Sequence, residues 1–175
     1  MVHPEGIFLL SKKNEGKTEG NIEAMGKNLA DEVKEFIDQY CPGTSLGRIS
    51  FICHSMGGLI TRAALPHLEK YKESMYTYVS LSSPHLGYMY NNSTLVGAGM
   101  WFLKKWKKSH SLKQLAMNDA DNLTDTFLYR LSEHEGLKWF KHIFLFSSYQ
   151  DSYAPFDSAR IQVPRKFSSD TGSKG

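Results

Sequence analysis

The sequence predicts an α/β domain built on a parallel sheet, and three observations carry that expectation. Short apolar runs alternate with longer segments of helical period. One run, Ile49–Cys53, passes through a corner of small residues directly into a helical segment. Three polar residues, Ser55, His85 and Asp151, stand just beyond the ends of apolar runs. Parallel sheets of this kind are expected to carry helices on both faces, giving three layers. Their chemistry collects at the carboxyl ends of the strands.

The elements follow in order. Ile7-Phe8-Leu9-Leu10 reads as a short strand, ended by the polar stretch from Ser11 to Gly16. Ile22, Met25, Leu29, Val33, Phe36, Ile37 and Tyr40 recur at three- and four-residue intervals with charged residues between them. That pattern predicts an amphipathic helix from Asn21, stopped by Cys41-Pro42-Gly43. The strand into Ser55 is next, then a helix from Leu59 to near Tyr71. Tyr76–Leu81, β-branched and aromatic, predicts a strand ended by Ser82-Ser83-Pro84. A helical insertion spans roughly residues 93–137, and His142–Phe146 is the last clear strand. Residues 1–165 read as one domain and 166–175 as a small polar tail.

Composition narrows the function classes. A chain of 175 residues, 41% hydrophobic and 22% charged, describes an ordinary folded domain. A net charge of +3 without a long basic tract gives no case for nucleic acid. Two cysteines, Cys41 and Cys53, make no disulfide framework and fit a reducing, cytoplasmic setting. No signal-peptide pattern and no membrane-length apolar run is expected. Zinc-ligand spacing is lacking, so neither metal nor organic cofactor is expected.

The corner His54-Ser55-Met56-Gly57-Gly58 carries the chemistry. A serine at a sharp strand-to-helix turn is lifted above its strand, where a substrate and a base reach it. Gly57 and Gly58 fit a place where strand and helix backbones close on one another. The N–H of Met56, first in the helix, suits a developing oxyanion. The general pattern is Gly-x-Ser-x-Gly, and Cys53 takes its first position. The plain alternative is a structural Ser-x-Gly-Gly turn. Asp151 stands after the last strand, where a carboxylate orients an imidazole by accepting its Nδ1 hydrogen. It reads equally as a turn aspartate, and Asp157 is the alternative acid.

Phe51–Gly58, Leu81-Ser82-Ser83-Pro84-His85-Leu86-Gly87 and Gln150-Asp151-Ser152-Tyr153-Ala154-Pro155 together resemble the lipase-like serine esterase domains of the α/β-hydrolase superfamily. The likeness extends through Trp101–Lys108 and Ser158-Ala159-Arg160-Ile161. It implies a three-layer hydrolase fold, cleavage of lipid or other acyl esters, and a Ser–Asp–His order in the chain. Ser55 matches the nucleophile and Asp151 the acid. Two departures stand out. None of the seven histidines follows Asp151, and only six residues precede the first apolar run, too few for a second oxyanion loop. On this reading the chain is a hydrolase domain clipped at both ends, or an inactive relative kept for binding. His85 fits a structural role, and His54 is expected to point away from Ser55.

Leu95, Ala98, Phe102, Leu103 and Trp106 fall on one helical face, beside the cluster Lys104, Lys105, Lys107 and Lys108. A Trp- and Lys-rich helix suits transient contact of Trp101–Lys108 with a membrane surface, or a lid. The plainer reading packs the aromatic face onto the core and solvates the lysines.

Overall fold

The computed structural model describes residues 6–43, 45–88, 109–151 and 153–163. The Trp101–Lys108 segment and the tail 166–175 lie outside the described residues.

Helix α1, Ile22–Tyr40, starts where Asn21 caps it, the Asn21 side chain accepting the Ala24 N–H. Its buried stripe is Ile22, Met25, Gly26, Leu29, Ala30, Val33 and Ile37, and each large member contributes about 1.5–3 kcal/mol by leaving water. The chain turns away through Gly43 at φ 65°. Strand β1, Ile49–His54, leads through Ser55 into helix α2, Met56–Ala64. Pro66 follows, and the chain tightens into a 3-10 segment over Leu65–Ser74, kinked at Leu68. Strand β2 is Met75–Leu81. After it come helices α3, His110–Leu115, and α4, Phe127–Glu133, then strand β3, His142–Phe146. Helix α5, Phe156–Ala159, is one turn long.

The strands form one sheet in the order β1-β2-β3, all parallel. His54, Leu81 and Phe146 lie side by side at its carboxyl end. The chain forms an α/β core of parallel strands with covering helices.

One expectation needs correction. Ile7–Leu10 is not a strand: Phe8 is 90% exposed and Leu10 79%. No described strand lies beyond β1, so the run has no ladder to join. Its continuation is held by α1 instead, where Glu32 accepts from the Ser11 hydroxyl and the Lys12 N–H.

Among the described residues the helices cover one face of the sheet, that of Phe51, Cys53, Tyr78 and Ser80. The other face shows Ile52 78% exposed and Phe144 49% exposed. Right-handed crossovers that step the same way along a sheet lay their helices on the same side. Both connections here, β1 to β2 and β2 to β3, step the same way.

The core lies between α1, α2 and the covered face. Gly26 lets α1 approach α2 closely, since a Cβ there would sit 2.6 Å from the Ala63 carbonyl carbon. Arg62 of α2 is buried with no carboxylate partner among the described residues and donates to the carbonyls of His85 and Leu131. Burial lowers its pKa, and those carbonyls tie α2 to the loop after β2 and to α4.

Candidate active site

Ser55 occupies the corner between β1 and α2, exposed, with φ 53° and ψ −129°. Such a backbone costs a non-glycine residue about 1–3 kcal/mol and persists only where its surroundings impose it. The impositions are visible. The Ser55 N–H donates to Leu81 O at 2.9 Å, continuing the ladder one step past β1. Its carbonyl accepts the Gly58 N–H at 3.2 Å. Behind it, the Thr61 hydroxyl donates to Gly57 O at 2.9 Å and lies 3.1 Å from Cys53 Sγ. Cys53 fits the position before the turn as a buried small residue, its thiol pushed up to about 11 by burial, against the opposing Thr61 hydrogen bond.

The two glycines are not equivalent, contrary to expectation. A Cβ on Gly58 would lie 2.4 Å from Ser83 Oγ and 3.0 Å from His85 Cε1, whereas one on Gly57 meets nothing closer than 4.0 Å. The close approach is between α2 and the loop after β2, so its partners are far away in sequence. Met56 is the first residue of α2, and first-turn amides have no carbonyl within their own helix to serve.

Ser82 repeats the theme on the next strand. Its φ is 50°, and its N–H donates to Phe146 O at 2.9 Å. Ser55 and Ser82 are therefore consecutive steps across the sheet, on strands about 4.8 Å apart.

Asp151 lies in the loop after β3. One carboxylate oxygen, Oδ1, accepts the N–H groups of Tyr153 at 2.8 Å and Ala154 at 2.9 Å. Partial burial pushes its pKa up, but the Ala154 amide, the Ser82 hydroxyl, the Tyr153 amide and the nearby His54 imidazole outweigh that and leave it below the ordinary value. Asp151 is thus a turn aspartate and also a carboxylate beside the end of β2, one strand from Ser55. Tyr88 is raised to about 12 by burial and by the Asp151 charge. Asp157, the alternative acid, lies in the first turn of α5.

His85 is buried against the sheet, its Nε2 2.8 Å from Ser80 Oγ. Burial, with the Arg62 charge behind it, lowers its pKa to about 3. It ties the loop to β2 and is poorly suited to taking a proton near neutral pH. His54 is exposed at the end of β1, close enough for its imidazole to help lower the Asp151 pKa. Sequence reasoning missed Ser82 and Arg62. A serine before Ser-Pro carries no signal of its φ, and nothing local marks a buried arginine.

No three His, Cys, Asp or Glu side chains among the described residues are grouped to hold a metal. No described helix is long and apolar enough to cross a membrane.

Comparison with known proteins gives two likenesses. Residues 1–166 match the family model described as "Putative serine esterase". Among solved structures, the chain is similar to the Bacillus licheniformis lipase BlEst2 in mature form, at 14% identity and a TM-score of 0.47. That likeness covers 75% of this chain and 52% of the lipase, so the chain spans about half the lipase's length.

Proposed function

Because the chain belongs to the serine esterase family whose model spans residues 1–166, we propose that it is organised for hydrolysis of carboxylic esters, with Ser55 as nucleophile. The supporting observation is the exposed serine at φ 53° where a parallel strand turns into α2. In this reading Ser55 Oγ attacks the ester carbonyl carbon while an imidazole takes its proton. The Met56 N–H holds the oxyanion as the tetrahedral centre forms. The same imidazole returns the proton to the leaving alcohol, and water then cleaves the acyl-serine. Asp151 orients that imidazole, its ionised state secured by two amides and the Ser82 hydroxyl. The substrate class is a lipid or other acyl ester, with Trp101–Lys108 as a transient membrane-surface contact. Residues 1–165 act as one domain in this scheme.

A second reading is a hydrolase-like domain that binds without turning over. One observation favours it: His85, the histidine in the loop beside the corner, is buried against Ser80 with its pKa lowered to about 3 by burial, so it does not serve as the base. Without its base a triad retains only about 10³–10⁴-fold catalysis from the oxyanion hole and binding.

A fluorophosphonate probe with intact-mass detection separates the two. The hydrolase reading expects a single adduct on Ser55 that disappears in Ser55→Ala. An unlabelled, folded chain would sink it and leave the binding reading.

A further inference from the structure

One peptide group joins the corner at Ser55 to the strand that leads to Asp151. The carbonyl of Leu81 accepts the Ser55 N–H at 2.9 Å. On the other side of the same peptide, the Ser82 N–H donates to Phe146 O, also at 2.9 Å. A peptide group is planar and stiff, so it clamps β1, β2 and β3 together at the point where all three end. Resting on the assignment of Ser55 and Asp151 to one site, we propose that Ser82 is a positioning residue that holds the Asp151 carboxylate in register with Ser55.

Backbone strain marks the residue. Continued as extended strand, Ser82 would share the covered face with Tyr78 and Ser80. Its φ of 50° breaks that alternation, at a cost a serine bears only where its surroundings impose it. Ser83, one residue on, is fully buried and packs against Gly58. The Ser82 hydroxyl instead serves the Asp151 carboxylate. Two adjacent serines are sent to different places, and it is Ser82 that meets the acid.

The backbone donors to Asp151 are local. Tyr153 and Ala154 offer their N–H groups to Oδ1 from two and three residues away. Those bonds fix the carboxylate within its own loop, but they do not fix that loop against the sheet. Ser82 belongs to another strand, one step from Ser55, and supplies that reference. Because a hydroxyl donated to a carboxylate favours the ionised form, losing it lets the Asp151 pKa climb.

Two variants of the full chain separate the hydroxyl from the backbone. Glycine and asparagine both accept a positive φ, but only asparagine brings a side-chain donor. In each variant, NMR titration follows the Asp151 carboxyl and a fluorophosphonate probe times labelling at Ser55. Ser82→Gly is expected to raise the Asp151 midpoint and to slow labelling by about tenfold. Ser82→Asn is expected to return both toward the parent. A merely structural serine would leave the midpoint where it was. An unmoved midpoint in folded Ser82→Gly, or a Ser82→Asn chain that behaves like Ser82→Gly, would overturn the assignment. An unlabelled parent would sink the hydrolase reading alone, since the carboxyl titration still judges Ser82.

Discussion

Three side chains at the carboxyl end of the sheet do different work, and each can be isolated. Ser55 is strained and exposed; Asp151 is held by backbone amides; His85 is buried against Ser80. If Asp151 orients the proton carrier, Asp151→Asn lowers the rate of fluorophosphonate labelling at Ser55 by about 10³-fold or more without altering the fold. Unchanged labelling would remove Asp151 from the scheme. His85 makes a prediction about stability. Its folded pKa of about 3 lies below the ~6.5 of a free imidazole, so the unfolded chain binds a proton that the folded chain refuses. Its neutral form costs nothing above about pH 6.5, and stability falls as pH drops from there toward the folded value, by at most about 1.4 kcal/mol per pH unit. Urea midpoints at about pH 7 and about pH 5 should therefore drop more for the parent than for His85→Gln. Parallel losses would mean that His85 is not the titrating group.

At the scale of elements, the packing of α2 against the loop after β2 sets the corner. Gly58→Ala drives a methyl into the buried Ser83 side chain and is expected to cost about 1–3 kcal/mol. Gly57→Ala has open space and should be neutral or slightly stabilising, since alanine favours a helix by up to about 1 kcal/mol. Thermal melts of the pair check this, and equal losses would contradict it. Much of this level was legible beforehand. The period of Ile22 to Ile37 announced α1, Cys41-Pro42-Gly43 its stop, and the runs at β1, β2 and β3 their strands, because those signals are local. The small corner around Ser55 was also visible. What escaped was set by distant partners: that Gly58 rather than Gly57 is confined, that Arg62 spans two carbonyls, and that Ser82 shares the backbone strain of Ser55. Ile7–Leu10 misled because an apolar run becomes a strand only beside another.

For the whole molecule, the winding of the sheet matters most. Residues 55–74 join β1 to β2, whereas residues 82–141 join β2 to β3, so closing the second connection costs more chain entropy. β3 is also the least covered strand, with Ile143, Phe144 and Phe146 all exposed above 40%. Amide exchange is expected to be faster in β3 than in β2, reporting partial opening from that edge. Uniform protection across the two strands would refute it. Asp151, in the loop after β3, travels with this margin, while the corner at Ser55 is anchored to the interior through Thr61, Tyr78 and Gly58. Peeling away the last strand would therefore carry Asp151 off and leave the hydroxyl where it was, so that reactivity fades at temperatures where the helical half still stands.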